Sequence, residues 1–248
     1  CREERIRINK YLSEAGFCSR READRLVEAG KVTIDGAVAS AGDKVAKGQC
    51  VCVSGRRVDK KEPFIFIALN KPVGIVCTTS EKEKDNIIRF LDFPYRIYPA
   101  GRLDKNSEGL LLLTNQGDWV NKMMRAGNYH EKEYVVTVDK PLTKDFLRGM
   151  SGGVPILGTV TRPCKVNYIS KNTFNIILTQ GLNRQIRRMC EYFGYKVVKL
   201  KRVRIMNIQL GSLKTGQWRY LTEEELAKLK KMIRHSSNMP EKERRIKN

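Results

Sequence analysis

The sequence predicts an α+β protein with two domains, a small N-terminal one and a larger one built on a mixed, mainly antiparallel sheet. The chain has 248 residues, of which 41% are hydrophobic and 30% charged, and these values are typical of a folded globular protein. Short helical and strand patterns alternate without the regular order of a parallel-sheet protein. A stretch at residues 54–62 that is polar or charged apart from Val58 divides the chain and predicts a linker.

The predicted first domain, residues 1–53, begins with two short helices. Ser19 is the expected N-cap of the second helix, and Glu22 stands where it would complete a capping box. The β-branched run Val32-Thr33-Ile34 and the alternating Val51 and Val53 predict strands, and the Asp35-Gly36 pair between them predicts a tight hairpin turn. We therefore expect a small sheet that packs against the two helices.

Three arginines of the second helix, Arg20, Arg21 and Arg25, lie mainly away from its apolar stripe. A basic face of this kind can simply be solvated, or it can bind phosphate groups. The charge pattern alone favours neither interpretation over the other.

The predicted second domain spans residues 63–235, and a polar, basic tail at 236–248 is expected to be disordered. The final predicted helix of the second domain, residues 222–235, has Thr222 as N-cap and three glutamates in its first turn. Earlier helical patterns lie near residues 85–91, 117–126, 143–149 and 184–193. The strand patterns are Phe64–Leu69, Leu110–Thr114, Tyr134–Val138, Phe174–Leu178 and Val197–Ile208.

The charge of the chain predicts a polyanionic partner. Lys and Arg total 48 against 27 Asp and Glu, for a net charge of +21. The excess is concentrated late, since residues 184–248 hold 18 basic and 6 acidic side chains. Nucleic acid is the leading candidate, and an anionic membrane surface is the weaker one. No apolar run approaches the roughly 20 residues of a membrane span, so no membrane protein is expected.

The cysteine and histidine pattern predicts no metal site. The seven cysteines include no Cys-x-x-Cys pair, and the chain has only two histidines. Reduced thiols in a cytoplasmic protein are the simplest interpretation.

Two segments carry the residues best suited to chemistry. In the first, a loop of glycines and charged residues that includes Arg102 and Asp104 leads directly into the apolar strand 110–114. A rigid strand below a charged loop is a good support for catalysis, although an ordinary turn with a structural Arg–Asp pair fits the spacing equally well. In the second segment, Arg184, Arg187 and Arg188 open a helix.

Three arginines in the first turns of a helix oppose its dipole and therefore need anionic partners. A carboxylate inside the protein or phosphates outside it would serve, or both. The basic run continues along the following strand through Lys196, Lys199, Lys201, Arg202 and Arg204, which predicts a continuous positive surface.

Residues 101–115, Gly-Arg-Leu-Asp through Thr-Asn, resemble the catalytic motif of the RsuA-type family of rRNA pseudouridine synthases. The first domain resembles an S4-type RNA-binding domain. The likeness covers about residues 5–235. Further motifs of the family are Leu69-Asn70-Lys71-Pro72, Lys132-Glu133-Tyr134 and Arg184-Gln185-Ile186-Arg187-Arg188-Met189.

The resemblance implies an isomerisation of uridine that needs no metal or organic cofactor. It makes Asp104 the essential carboxylate, which attacks C1′ or C6 or assists loss of a C2′ proton. Arg187 would pair with Asp104 and favour its ionised form. Tyr134 would stack on the target base and carry a proton, and Leu200 would contact the other face of that base.

The remaining implied roles concern RNA binding. Arg102 would fill the space left by the displaced base, while Lys71 and Asn115 would shape the pocket floor. The 184–204 run, with Arg184 and Arg188, and the first-domain arginines would bind phosphates. The expected substrate is a stem-loop of large-subunit (23S) rRNA, with a tRNA stem-loop as the alternative, and the expected state is a monomer.

Two other classes of protein compete with this interpretation. A non-catalytic RNA-binding protein would share the charge and the S4-like segment, but it would not need Asp104, Tyr134 and Arg187 together. An acid–base hydrolase is disfavoured because histidines are few and no carboxylate pair has a useful spacing.

Overall fold

The structure is a computed structural model that describes residues 5–59, 62–125 and 129–234. Its contacts divide the chain into two compact units, Cys1–Pro63 and Phe64–Asn248. The tail predicted at 236–248 and the last residue of the final predicted helix lie outside the described residues. Each unit has its own apolar core.

The first unit packs two helices against small antiparallel sheets. Buried side chains from both helices and from the strands, such as Leu12, Ala23, Val32 and Val51, form one core. A four-stranded sheet has the order β3-β2-β5-β6, and β1 pairs with β4. The elements are β1 Ile6–Arg7, α1 Ile8–Glu14, α2 Arg20–Glu28, β2 Val32–Ile34, β3 Ala37–Val38, β4 Lys44–Val45, β5 Val51–Val53 and β6 Arg56–Arg57.

Local signals in the first unit are largely confirmed. Asp35 and Gly36 both have positive φ, at 49° and 83°, as the predicted hairpin turn between β2 and β3 requires. Ser19 accepts a hydrogen bond from the Glu22 backbone N–H at 3.2 Å. The second half of the predicted capping box is absent from this helix, because the Glu22 carboxylate pairs with Arg25 at 3.3 Å instead.

The predicted linker at 54–62 needs a correction, because its first part belongs to the small sheet. Ser54 and Gly55 both have positive φ and form a tight turn, after which β6 pairs with β5. Val58 is buried in the core of the first unit. A polar, glycine-containing stretch is typical of a linker and of a hairpin alike, and only pairing with β5 distinguishes the two.

The second unit is built on one large sheet with the strand order β13-β14-β10-β15-β9-β7-β17, which confirms the α+β prediction. Neighbouring strands are antiparallel except β15 and β9, which are parallel. Beside this order, β16 pairs with β15 and β8 with β9, while β11 and β12 form a separate hairpin. The strands are β7 Phe66–Lys71, β8 Tyr98–Pro99, β9 Glu108–Thr114, β10 Lys132–Val138, β11 Pro155–Ile156, β12 Thr159–Val160, β13 Lys165–Ser170, β14 Thr173–Leu178, β15 Val197–Ile205, β16 Ile208–Gln209 and β17 Trp218–Tyr220.

Among the described residues of this unit, five helices cover the sheet, all close to the predicted positions. No helix in the described residues combines the length and the apolar character needed to span a membrane. The helices are α3 Ile87–Leu91, α4 Gly117–Met124, α5 Lys144–Ser151, α6 Gln185–Tyr192 and α7 Glu223–Ile233.

The centre of the sheet is buried on both faces. Leu110 and Leu112 of β9 enter one core, and Leu111 and Leu113 enter another on the opposite face. A strand that is apolar at successive positions is expected where both faces are covered. The predicted strand at 197–208 is two strands, because Met206 has a φ of 52° and turns the chain from β15 into β16.

The N-terminus of α7 provides a first stability prediction. The Thr222 hydroxyl accepts a hydrogen bond from the Glu225 N–H at 3.1 Å, and the Glu225 carboxylate accepts one from the Thr222 N–H at 3.0 Å. Replacing Thr222 by Ala leaves one helix N–H without its acceptor, so unfolding free energy should fall by about 1 kcal/mol. Urea denaturation measures this, and Thr222→Ser should stay close to wild type. Equal stability of the Ala variant would contradict the assigned cap.

Candidate active site

A cavity of about 450 Å³ opens in the second unit beside the loop that precedes β9. The loop residues 101–105 form one wall, strands β10 and β15 form another, and the start of α6 closes a third side. Six residues proposed from the sequence line it together: Arg102, Asp104, Tyr134, Arg184, Arg187 and Leu200.

Asp104 lies on the cavity wall between two arginines. Its Oδ2 is 3.5 Å from Nη1 of Arg184 and 3.9 Å from Nε of Arg187. About a third of the Asp104 side chain remains accessible, at 35% exposure. The two cations hold the carboxylate in place, while that exposure leaves it open to a molecule that enters the cavity.

Arg187 fixes the loop as well as facing its carboxylate. Its Nη2 donates hydrogen bonds to the Asn106 carbonyl oxygen at 3.1 Å and to Ser107 Oγ at 3.2 Å. Burial lowers the pKa of Arg187, with the charge of Arg184 acting in the same direction. A guanidinium nevertheless stays charged at all ordinary pH values, so the cation opposite Asp104 is permanent.

The other end of the loop is fixed by Arg202 of β15. Its Nε donates to the Leu110 carbonyl oxygen at 2.8 Å, and its Nη1 donates to the Arg102 carbonyl oxygen at 3.3 Å. Gly109 of β9 pairs with Arg202 of β15, and the φ of Gly109 is 107°. A Cβ at Gly109 would overlap the Arg202 carbonyl oxygen. The loop therefore depends on this glycine and this arginine.

Asp104 is the anionic partner of two of the three arginines at the start of α6, Arg184 and Arg187. Arg184 is the N-cap residue and has a left-handed conformation, with a φ of 49°. Arg188 points elsewhere: it donates to the backbone oxygen of Asn183 at 3.0 Å and to its side-chain Oδ1 at 3.1 Å, and it does not line the cavity. Local hydrogen bonds therefore orient its guanidinium outside the cavity, and its predicted contact with phosphates remains a prediction.

Lys71 and Asn115 are also away from the cavity lining. Lys71 is fully buried, and its ammonium donates to the carbonyl oxygens of Pro72 and Ile75 at 2.9 and 2.7 Å. The Asn115 Oδ1 accepts from the Ile65 N–H at 3.1 Å, at the far end of β9 from Asp104. Both residues thus hold neighbouring backbone instead of shaping the cavity floor.

The three first-unit arginines lie on the exposed face of α2, opposite its buried residues Ala23 and Val27. Arg25 pairs with Glu22 of the same helix. These contacts fit a solvated face and a phosphate-binding face equally, so their role remains a prediction.

The predicted positive surface along β15 is interrupted. Arg202 is only 2% exposed, and Arg204 is engaged by Glu131 at 3.0 Å and by Glu133 at 3.4 Å. Alternate residues of a strand point to opposite faces, so a basic run in sequence does not form one basic surface. Lys196 and Lys199 do line a second groove, of about 410 Å³, which also contains Arg184, Arg187 and Leu200.

Sequence reasoning assigned no cavity role to four further cations of the lining, namely Lys105, Arg125, Lys132 and Arg202. Lys132 is half-buried, and burial and the neighbouring charge of Arg202 lower its pKa to about 8. The available signal was the position of Lys132 two residues before Tyr134, which puts both on one face of a strand. Among the described residues, no cluster of three or more His, Cys, Asp or Glu side chains could hold a metal ion.

Comparisons with known proteins agree with this fold. A model of the RNA pseudouridylate synthase family matches residues 65–192, and a model of the S4 domain matches residues 6–51. The chain belongs to the RNA pseudouridylate synthase family, a class of isomerases, and carries an N-terminal S4 domain. The resemblance that the sequence motifs indicate is therefore confirmed.

Particular relatives refine the placement within the family. The chain is 59% identical to the dual-specificity RNA pseudouridine synthase RluF of Salmonella typhi over 94% of its own length and 81% of the relative's. It is 57% identical to the protein of the same name from Escherichia coli K12, with the same coverage. Within the family, the sequence motifs also indicate a particular likeness to ribosomal large subunit pseudouridine synthase F, and these values confirm it.

More distant relatives extend the same likeness. Ribosomal large subunit pseudouridine synthase B of Bacillus subtilis is 37% identical, over 94% of this chain and 98% of its own. A crystal structure of a pseudouridylate synthase matches with a TM-score of 0.64 and 29% identity, over 90% of this chain and 99% of its own. The likeness thus includes both the sequence and the three-dimensional fold.

Proposed function

We propose that this enzyme isomerises a uridine in a stem-loop of large-subunit (23S) rRNA, with Asp104 as the essential carboxylate. A tRNA stem-loop of similar shape is the second candidate substrate. The observation that carries the proposal is the position of Asp104, held between Arg184 and Arg187 and still accessible from the cavity. The substrate class is supported by relatives that are named dual-specificity RNA synthases and a ribosomal large subunit synthase.

The reaction breaks the N1–C1′ bond of uridine, turns the free uracil and joins its C5 to C1′. Asp104 would act at C1′, at C6 or in the removal of a C2′ proton, and each route starts from the ionised carboxylate. The two guanidinium groups lie within 4 Å of that carboxylate, and their positive charges balance its negative charge. No step requires an oxidant or a second substrate.

Tyr134 and Leu200 are proposed to hold the base between them. Both line the cavity, Tyr134 on β10 and Leu200 on β15, the strand beside it. An aromatic ring and an apolar side chain can contact the two faces of any base without reading its edge. The Tyr134 hydroxyl is also a candidate proton carrier.

A uridine inside a stem cannot reach such a cavity, so the target must be splayed out or already unpaired. Arg102 is exposed on the cavity wall and is proposed to fill the space that the base leaves. Its planar guanidinium can stack on neighbouring bases and bind phosphate. The groove with Lys196 and Lys199 continues from Arg184 and offers a path for the flanking phosphates.

Recognition of a ribosomal RNA implies where the enzyme works. An enzyme that modifies rRNA must meet it where ribosomes are made, so we propose a cytoplasmic location. We also propose that the enzyme acts as a monomer, since the residues to which we assign a catalytic role, Asp104, Tyr134 and Arg187, line one cavity of the second unit.

The substrate proposal is tested by tritium release from transcripts that carry 5-tritiated uridine, because C5 loses its hydrogen when it joins C1′. We expect about one equivalent of tritium per molecule of 23S rRNA, and none from small-subunit rRNA. Release from tRNA alone would overturn the rRNA assignment. Tight binding without release from any RNA would identify a binding protein that has lost the activity.

Binding should weaken steeply with salt, because each phosphate that is neutralised releases a counterion. For six or more phosphate contacts, we expect affinity for a 23S stem-loop to fall about 10³-fold or more between 50 and 200 mM salt. Replacing Arg20, Arg21 and Arg25 by Gln should reduce the slope of log K against log salt by about two to three. Filter binding over a salt series measures both quantities.

A matched control is available on α7, where Lys228, Lys230 and Lys231 are exposed and the same change of charge can be made. The Gln variant at these three positions should keep the wild-type slope to within about one unit. A flat affinity over the salt series would refute the phosphate-binding proposal, and equal slopes for the two variants would refute the role of the α2 arginines.

A further inference from the structure

Among the described residues, the buried side-chain donors that lack a hydrogen-bond partner all belong to residues that line one cavity. In the described parts of the chain, four buried side-chain nitrogen or oxygen atoms have no hydrogen-bond partner. Three are guanidinium nitrogens of residues that line the active-site cavity, namely Nε of Arg125, Nε of Arg187 and Nη2 of Arg202. A buried donor without a partner costs about 1–3 kcal/mol, so such a group is expected to serve a ligand.

Lys132 adds a fourth cationic donor to this lining. No carboxylate or other acceptor among the described residues bonds to its ammonium, although the side chain is half-buried in the cavity wall. It lies two residues before Tyr134 on β10, so the two side chains share a face of the sheet. Arg202 is the cross-strand partner of Tyr134 on β15, which puts it on that face as well.

Two parts of an RNA substrate could accept hydrogen bonds here, a phosphate group or the carbonyl oxygens of the uracil. The depth at which the donors are buried distinguishes these two candidate acceptors. Arg202 is 2% exposed and flanks Tyr134, the residue proposed to stack on the base. Arg102 is exposed and the Arg184 side chain is 41% exposed, so these two arginines are the ones that can reach phosphate groups outside the cavity. The base is the part of a flipped nucleotide that enters deepest, so its oxygens are the better match for the buried donors.

We propose that Lys132 and the free Nη2 of Arg202 bind the carbonyl oxygens of the target uracil and stabilise the negative charge that develops there during the reaction. The inference rests on the proposed function and adds two catalytic residues to it. When the N1–C1′ bond breaks, its electron pair stays with the ring and is shared by N1, O2 and O4. Fixed cations at O2 or O4 stabilise that state more than the neutral uridine, which is the requirement for catalysis.

The charge on the uracil is transient, and Lys132 keeps its proton throughout. In the second half of the reaction the ring uses the electron pair to form the C5–C1′ bond. C5 then loses its hydrogen as a proton and N1 gains one, so the product is neutral. The same cations serve if Asp104 first attacks C6, because that attack also places negative charge on O4.

The test compares Lys132→Met with Lys132→Arg in tritium release under single-turnover conditions. We expect the Met variant to react about 10²-fold more slowly than wild type on the bound 23S stem-loop, with its Kd changed by less than about threefold. The Arg variant retains the cation and should recover most of the rate. Lys165→Met, an exposed lysine on edge strand β13, is the matched control and should match wild type.

Each alternative result has a definite meaning. A Lys132→Met variant that reacts at the wild-type rate overturns the inference and leaves the proposed function intact. A variant that binds RNA much more weakly but reacts normally once bound identifies a phosphate contact, which also overturns it. If wild type releases no tritium from any RNA, the proposed function fails and the inference fails with it.

The pH dependence of kcat/KM is a second readout that needs no folding control. With its pKa near 8, the free Lys132 ammonium is charged below that pH and neutral above it, so the rate should fall above about pH 8. Burial lowers the pKa of the neighbouring His130 from 6.5, so that ring is already neutral in this range. The other titratable or charged groups that face the cavity are Cys77, Arg102, Asp104, Lys105, Arg125, Tyr134, Arg184, Arg187 and Arg202.

Lys132→Arg separates Lys132 from those groups because a guanidinium does not lose its proton in this range. Its profile should stay level to about pH 9.5, whereas the wild-type profile declines from about pH 8. A decline that persists unchanged in the Arg variant would show that another group titrates and would overturn the assignment.

Discussion

Replacing Asp104 by Asn is expected to slow tritium release at least about a thousand-fold, a loss of about 4 kcal/mol of transition-state stabilisation. Asn has the same shape but no negative charge, so it can neither attack carbon nor accept a proton as a carboxylate does. Affinity for the 23S stem-loop should change by only a few-fold, because the loop keeps its bonds to Arg187 through Asn106 and Ser107. Single-turnover release with saturating enzyme separates the rate from binding.

The matched control is Asp92→Asn. Asp92 is exposed, lies outside both cavities and has a φ of 45°, a conformation that Asn tolerates well. This variant should react like wild type. An Asp104→Asn enzyme that keeps the wild-type rate would remove the carboxylate from the mechanism.

Gly109→Ala is the second change with a large expected effect. The added Cβ would overlap the backbone oxygen of Arg202 and lie 2.7 Å from its backbone nitrogen, on a residue whose φ is 107°. Backbone atoms in the middle of a sheet cannot move aside cheaply, so β9 and β15 would have to separate. We expect unfolding free energy to fall by about 3–5 kcal/mol and activity to be lost with it. Urea denaturation and tritium release measure the two effects.

Gly101→Ala provides the comparison within the same loop. Gly101 has a similar φ of 119°, but a Cβ there would have no neighbour within 4 Å. Its cost should therefore be backbone strain alone, about 1–3 kcal/mol. Equal losses of unfolding free energy in the two variants would show that the close approach of the Arg202 backbone is not the reason Gly109 is required.

Local patterns in the sequence were sufficient for most of the fold. The apolar run at 110–114 predicted a buried strand, and Thr222 followed by three glutamates predicted the start of α7; both are present. The failures lie where a residue's environment is set by distant partners. Arg202 was assigned to a basic surface, yet its pairing with Gly109 and Tyr134 buries it beneath the cavity.

In the candidate site as well, the features that depend on local sequence could be predicted, and those that depend on distant partners could not. Asp104 and Arg187 could be identified because their motifs are contiguous in sequence. Lys132 was part of a motif but received no role, because its importance depends on a lack of partners that only the folded structure reveals. The opposite holds for Lys71, whose motif predicted a pocket residue but whose ammonium is held by two backbone oxygens.

We have proposed that the cavity around Asp104 converts uridine to pseudouridine in large-subunit rRNA. Nucleoside analysis of 23S rRNA after incubation with the full chain detects this product, because pseudouridine has the mass of uridine but a carbon–carbon glycosidic bond. We predict one new pseudouridine per rRNA molecule with wild type and none with Asp104→Asn. Equal amounts of pseudouridine from both proteins, or none from wild type on RNA that it binds, would contradict the account.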